Sequence, residues 1–319
     1  MADLEGAEDA LAFASGMAAI AAVFLTFLSA GDHVVVSSDA YCDVHTLLTA
    51  HLSRFGVSAS FADTSDLAAV AAAVTPRTRL IYTEILSNPA LKLANLPDLA
   101  GVAAAAGARL CVDNTFATPI LCRPLTHGAD LVLHSATKFL GGHHDLCAGV
   151  VAGGTELVSA LRRQHDLLGT TVGAFDAQLA LTGIATLAAR VTWSSESAAA
   201  VAVYLQDHPQ VAAVRYPALA AHAQAALVRR LLPRGAGAMV TFDLASGPRM
   251  AAAVVRNLTH IPYVASLGGV TTTVCFPPRA YGDIVPSATL RLSIGLEDPR
   301  EVIADLDRAL ERAVSARSS

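Results

Sequence analysis

A few short segments of this 319-residue chain carry residue types that could do chemistry together. Ser15-Gly16-Met17 opens a long apolar stretch. At a helix start the first N–H groups are unpaired and a glycine permits close approach, which makes a phosphate-binding arrangement; plain capping is the other reading. Asp113 ends the run Arg109–Asp113, within Cys-Val-Asp-Asn-Thr-Phe. A carboxylate leaving an apolar strand is either a structural cap or a functional acid. Ser135-Ala136-Thr137-Lys138 follows the run Asp130–His134, with Gly141-Gly142-His143-His144-Asp145 just beyond. Two hydroxyls, a lysine and glycines make a compact turn able to hold an oxyanion beside an amine, and a desolvated lysine is a Schiff-base nucleophile. The chain has 22 basic residues, of which only Lys92 and Lys138 are lysine, so position 138 asks for an amine rather than merely a cation. Arg291 lies within Leu290–Gly295, and a buried arginine needs an anionic partner: a substrate carboxylate held by its fork, or a structural salt bridge. Together these residues suit a phosphate-bearing carbonyl cofactor. Pyridoxal phosphate needs an imine lysine, an acid to keep its ring nitrogen protonated, phosphate donors and an arginine for the substrate carboxylate.

The elements that must position these residues follow an alternating rhythm. Strands are expected at His33–Ser37, Val57–Phe61, Arg79–Glu84, Arg109–Asp113, Asp130–His134 and Ala148–Ala152, with helices at Val44–Arg54, Asp66–Val74 and Asp98–Ala106. Strands alternating with helices of this length indicate a parallel sheet covered on both faces, whose ligand lies beyond the carboxyl ends of the strands. After about Ala189 the rhythm changes to one long helix, Asp176–Leu205, shorter strands at Val211–Arg215, Ala238–Leu244 and Thr289–Ile294, and helices at Gln224–Leu232, Arg249–Asn257 and Pro299–Ala313. This predicts two domains, 1–189 and 190–319, the second α+β.

Composition narrows the class. With 53% hydrophobic and 15% charged residues the chain is not disordered. Its longest apolar run, Met17–Ala30, falls short of the roughly 18–20 residues that cross a bilayer. The acids Asp3, Glu5, Glu8 and Asp9 stand where a signal peptide needs positive charge. A net charge of −5 argues against nucleic acid as a partner. Five cysteines without a CxxC pair argue against a disulfide framework or a zinc site. A soluble cytoplasmic protein with a small-molecule substrate and no membrane partner is expected.

The segments Phe13–Ile20, Val112–Pro119, Ser135–His143 and Arg291–Gly295 together resemble the Cys/Met-metabolism family of pyridoxal-phosphate enzymes, and the resemblance runs in order from about Asp3 to Arg312. That family includes cystathionine γ-lyase, cystathionine γ-synthase and methionine γ-lyase. The resemblance implies an α/β fold of the type I, aspartate-aminotransferase-like class, with a mostly parallel central sheet, a smaller C-terminal domain and a homotetramer built as a dimer of dimers. It implies that Lys138 forms the imine with pyridoxal 5'-phosphate and moves protons, and that Asp113 pairs with the ring nitrogen. Gly16, Met17, Ser135 and Thr137 would bind the phosphate. Thr115 would also touch the cofactor, Asn88 its phenolic oxygen, and Tyr41 would stack on the ring and act as an acid/base. Ser266 and Arg291 would grip the substrate α-carboxylate, with His143, His144 and Asp145 supporting the region of Lys138. The activity implied is a carbon–sulfur lyase working by γ-elimination; γ-replacement on an O-acylhomoserine, or a chain with weak or no catalysis, are the alternatives.

This sequence also departs from the family's pattern. Tyr41 is followed by Cys42-Asp43-Val44 instead of small residues and a threonine, and Asp43 is expected to face solvent. Ala265 stands before Ser266, where relatives that handle a distal amino group often carry an acid, and the loop from Gly268 to Arg291 is short. The resemblance begins well inside a typical member, so the arm supplying a Tyr-x-Arg phosphate clamp is unmatched. Such a charge-assisted bond is worth about 1.5–3 kcal/mol. Either the start lies further upstream, or the chain is truncated, with weak or no activity.

Overall fold

The computed structural model describes residues 1–277 and 284–318. One compact unit comprises residues 1–88, 92–141 and 145–185; the other comprises 89–91, 142–144 and 186–319.

The first unit opens with a short helix α1 (Ala2–Glu5), strand β1 (Asp9–Phe13) and helix α2 (Gly16–Phe27). It continues with β2 (His33–Ser37), α3 (Cys42–Thr46), β3 (Ser58–Ala62), α4 (Leu67–Ala73), β4 (Thr78–Glu84), α5 (Leu96–Ala105), β5 (Arg109–Asp113), α6 (Thr118–Leu121), β6 (Leu131–Ser135), β7 (Gly149–Gly153), α7 (Thr155–Leu168) and α8 (Ala174–Ala185). Its seven strands are ordered β1-β7-β6-β5-β4-β2-β3. Strands β2 to β6 run parallel, and β7 runs antiparallel to both β6 and β1. The carboxyl ends of β1, β2, β4, β5 and β6 therefore share one edge. Ser15-Gly16, Tyr41, Glu84, Asp113 and Ser135 all lie on it or just past it.

The apolar run that raised the membrane question is α2. Its residues Ala19, Ile20, Ala22, Val23 and Phe24 are fully buried against Val34, Val36, Leu80, Tyr82, Cys111, Leu131, Leu133 and Val151 of the sheet. A helix apolar on nearly all sides is a core helix. No helix among the described residues is long and apolar enough to cross a membrane.

The parallel strands fall where the sequence places them, within a residue at each end, although β3 (Ser-Ala-Ser-Phe-Ala) has no β-branched residue. Two strands were not anticipated: β1, whose Asp-Ala-Leu-Ala-Phe has no β-branched residue, and the three-residue β10 below. The helix expected at Val44–Arg54 is in fact α3 followed by a π turn (Leu47–His51) and a 3-10 turn (Leu52–Phe55). Hydroxyls of Thr46, Thr49 and Ser53 donate to the carbonyls of Cys42, His45 and Thr49, a back-bonding that bends helices.

The second unit contains α9 (Leu187–Asp207), β8 (Val211–Arg215), α10 (Ala225–Leu231), β9 (Met239–Leu244), α11 (Pro248–Asn257), β10 (Thr273–Cys275), β11 (Thr289–Ser293) and α12 (Pro299–Ser318). The expected helix Asp176–Leu205 is thus two helices, parted at Thr186. The strands form an antiparallel sheet in the order β10-β11-β9-β8. Leu205, Phe242, Leu290, Leu292, Leu306 and Leu310 are completely buried in this unit. Asp305 of α12 accepts the backbone N–H groups of Thr259, His260 and Ile261. Burial acts to raise its carboxyl, yet these bonds and the Thr259 hydroxyl hold it below the usual range.

Candidate active site

At the start of α2 the Ser15 hydroxyl accepts the Ala18 N–H at 3.0 Å, the capping bond expected of this residue type. A Cβ on Gly16 would stand 2.9 Å from both Cβ and Oγ of Ser135. Only glycine fits there, and the Ser135 hydroxyl faces the helix start. Met17 follows, half-buried against the core cluster. The Ser135 N–H donates to the Thr115 hydroxyl at 2.8 Å, and the Thr115 N–H donates to Asp113 Oδ1 at 2.9 Å. A chain of contacts therefore joins the helix start, the end of β6 and the end of β5.

Ser135 also begins the turn that carries the lysine. The Lys138 N–H donates to the Ser135 carbonyl at 3.1 Å, and the Gly141 N–H to the Ala136 carbonyl at 2.8 Å. Thr137 is bound to the residue before β7, its hydroxyl accepting the Ala148 N–H at 3.1 Å. Behind the turn, a Cβ on Gly183 of α8 would run into the carbonyls of Leu140 and Gly141. The other lysine is committed elsewhere: Lys92 Nζ lies 2.7 Å from Asp63 and 3.2 Å from Asp39.

Asp113 is buried and accepts a second hydrogen bond at Oδ2, from the Tyr82 hydroxyl at 3.2 Å. Burial pushes its carboxyl up, although the Thr115 and Tyr82 bonds and the charge of His134 work against that. Among the described residues it has no ion-pair partner. A cation placed beside Asp113 would supply the missing charge, so a protonated ring nitrogen suits this carboxyl. On the neighbouring strand, Glu84 pairs in register with Asp113. Burial and the Asp113 charge push its carboxyl well up.

Glu84 reaches the start of α3, where Oε1 accepts the Tyr41 N–H at 2.7 Å. The Tyr41 ring is 41% exposed, enough to cover a ligand at the sheet edge. Its phenol is pushed up to about 12, by partial burial and by a hydrogen bond to the Asp43 carboxylate. Asp43, expected to face solvent, is exposed but bonds back to the tyrosine. Asn88 lies buried on the loop after β4.

Ser266 and Arg291 belong to the second unit. Arg291, in β11, is 4% exposed and donates from Nη2 to the Ala265 carbonyl at 2.9 Å. It also bonds the Cys275 thiol; burial pushes that thiol up and the arginine opposes the shift. Ser266 follows Ala265, and its hydroxyl lies 3.4 Å from His144 Nδ1. His144 has φ 58, and a Cβ on Gly269 would run into its ring. The sequence placed His144 in support of Lys138; its side chain instead packs on the loop of Ser266. Part of the loop from Gly268 to Arg291, residues 278–283, lies outside the described residues. No cluster of metal-ligating side chains occurs among the described residues.

The sequence therefore named the residues along the edge but missed Tyr82 and Glu84. The signal was present. Tyr82-Thr83-Glu84 ends a strand, and its period of two turns both polar groups to the face that carries Asp113.

The chain is similar over nearly its whole length to known proteins. A sequence model of the family described as "Cys/Met metabolism PLP-dependent enzyme" matches residues 1–311. Cystathionine gamma-lyase of Bacillus subtilis is 38% identical over 97% of this chain and 84% of its own length. Canavanine gamma-lyase of Rhizobium leguminosarum is 40% identical over 98% of this chain and 80% of its own. The crystal structure of metB from Corynebacterium glutamicum superposes with a TM-score of 0.94 at 34% identity, over 97% of this chain and 82% of that one.

Proposed function

Because the chain belongs to the Cys/Met metabolism family of PLP-dependent enzymes, we propose that it is a carbon–sulfur lyase that removes the γ-substituent of a sulfur amino acid by elimination. Pyridoxal 5'-phosphate, when bound, supplies an aldehyde for the substrate amino group and a protonated ring that draws electrons from Cα. The observation that carries the reading is Asp113. Among the described residues it is a buried carboxyl with no ion-pair partner, linked through Thr115 and Ser135 to the turn that carries Lys138.

Asp113 holds the proton on the ring nitrogen, and its two donors keep the carboxylate oriented. The N–H groups of Gly16 and Met17 at the start of α2, with the hydroxyl of Ser135, bind the phosphate. Thr137 and Thr115 hold the backbone of that cradle, since their hydroxyls accept the N–H groups of Ala148 and Ser135. Asn88 hydrogen-bonds the phenolic oxygen. Lys138 would hold the cofactor through its amine, and that amine would serve as the base that moves a proton between Cα and Cβ. Tyr41 covers the ring, its phenol keeping its proton at neutral pH. Ser266 and Arg291 bind and orient the α-carboxylate.

In this reading residues 1–189 form the cofactor-binding domain and 190–319 the small domain of a cytoplasmic homotetramer, a dimer of dimers. The exposed Leu167, Phe175 and Leu181 of the first unit support a face turned toward another subunit.

The test begins with protein supplied with pyridoxal 5'-phosphate. A visible absorption band that Lys138→Ala abolishes is expected, and no band in the wild type overturns the reading. Lys138→Ala should lower turnover by about 10²–10⁴-fold or more. Cystathionine and methionine supplied separately, with 2-oxobutyrate and the released thiol measured for each, identify the leaving group. O-acylhomoserine with cysteine separates the alternatives: cystathionine as the main product would replace γ-elimination by γ-replacement.

A further inference from the structure

Glu84 is an acid on the sheet edge with no part in the chemistry above. It occupies the last position of β4, in register with Asp113 of β5. Its Oε1 accepts the Tyr41 N–H at 2.7 Å, a short bond to the first residue of the segment that carries the covering ring. Tyr82, two residues earlier on the same face, donates to Asp113 at 3.2 Å. One side chain thus touches the backbone of Tyr41 and stands beside the carboxylate assigned to the ring nitrogen.

We infer that Glu84 is a positioning residue of this site: its carboxyl fixes the backbone of Tyr41 from the strand beside Asp113, so the seating of the ring cover and the charge under the cofactor ring are coupled through one side chain. The inference rests on the proposed cofactor reading. Two carboxylates on paired positions of adjacent strands do not both ionise cheaply. Burial pushes both carboxyls up, and the Asp113 charge adds to the shift of Glu84. A proton held on Glu84 leaves its carbonyl oxygen for the Tyr41 N–H and leaves Asp113 to take the ring's charge. The groups facing Glu84 are Asp113 from β5, the Tyr41 N–H at the start of α3, and Asp39 after β2, which Lys92 neutralises in part. Tyr82 shares its strand and face.

This assignment distinguishes two substitutions. Glu84→Gln keeps an acceptor for Tyr41 and mimics the neutral acid; Glu84→Leu keeps neither. The dissociation constant of pyridoxal 5'-phosphate, read from the visible band of the full chain at several pH values, is the measurement. Glu84→Leu should bind at least tenfold more weakly than wild type at neutral pH, and Glu84→Gln should recover most of that loss. As pH rises and Glu84 of the wild type ionises, its added negative charge favours the protonated ring. The wild type should then bind severalfold more tightly than Glu84→Gln, the two converging at acid pH.

Equal binding by Glu84→Leu and wild type would overturn the positioning role. A constant ratio between Glu84→Gln and wild type across pH would overturn the coupling to Asp113. If Glu84→Leu does not fold, the pH series of Glu84→Gln still decides. A wild type that shows no band fails the cofactor reading itself, a result distinct from either outcome.

Discussion

The chemistry of Tyr41 is altered by its local structure. Partial burial raises its phenol first, and the hydrogen bond to Asp43 raises it further, to about 12. A phenol hydrogen-bonded to a carboxylate is held as the acid, because ionising it places two negative charges side by side. Asp43→Asn removes the charge and leaves the burial, so the phenol should titrate lower while staying above an ordinary tyrosine. The alkaline limb of kcat/KM should then move to lower pH, with the matching change in a phenolate titration referenced to Tyr41→Phe. An unchanged limb would show that Asp43 does not govern this tyrosine. The sequence identified Tyr41 but assigned Asp43 to solvent, because a contact between residues two apart depends on the backbone angles at the start of α3. Lys138 was singled out by scarcity and by the turn of hydroxyls and glycines around it. With only one other lysine in the chain, and that one held by Asp39 and Asp63, little competes with it.

At the scale of elements, most of the strands were legible because buried parallel strands are written as short β-branched runs, and their carboxyl ends locate the site without any side-chain detail. What the sequence could not show was where one helix stops against another element. Asp176–Leu205 reads as one apolar, alanine-rich stretch, yet α8 ends at Ala185. Gly183, near that end, packs directly on the turn that follows Lys138. Gly183→Ala should push α8 away from Leu140 and Gly141, cost about 1–3 kcal/mol as overpacking does, and weaken cofactor binding with it. Gly101 in α5 is the control, for a Cβ there meets nothing within 4 Å. Gly101→Ala should stabilise by about 0.4–1 kcal/mol, since alanine loses less backbone freedom than glycine in a helix. Urea midpoints for the two variants should therefore move in opposite directions. A Gly183→Ala protein as stable as wild type would mean that α8 does not hold the lysine turn in place.

For the molecule as a whole, the raised carboxyls make cofactor binding and pH stability one problem. In the cofactor-free protein Asp113 and Glu84 titrate above their unfolded values, chiefly through burial. The folded state then binds more protons than the unfolded state between the ordinary carboxylate range and the raised one. Stability from these groups is complete below that window and is lost as pH rises through it. Asp305 and Asp63 act in the opposite sense, because their carboxyls are lowered, and they weaken the fold as pH falls. A single melting curve mixes the two effects. The difference in Tm between protein with and without pyridoxal 5'-phosphate separates them, since Asp305 and Asp63 contribute to both forms alike. Ligand at about a hundred times its dissociation constant adds about 2.7 kcal/mol. A cationic ring beside Asp113 also removes the penalty that grows with pH. The Tm gap should therefore widen from acid to neutral pH in the wild type, and both shrink and flatten in Asp113→Asn, where no carboxylate remains under the ring nitrogen. A gap of equal size and slope in the two proteins would mean that Asp113 does not meet the cofactor's charge.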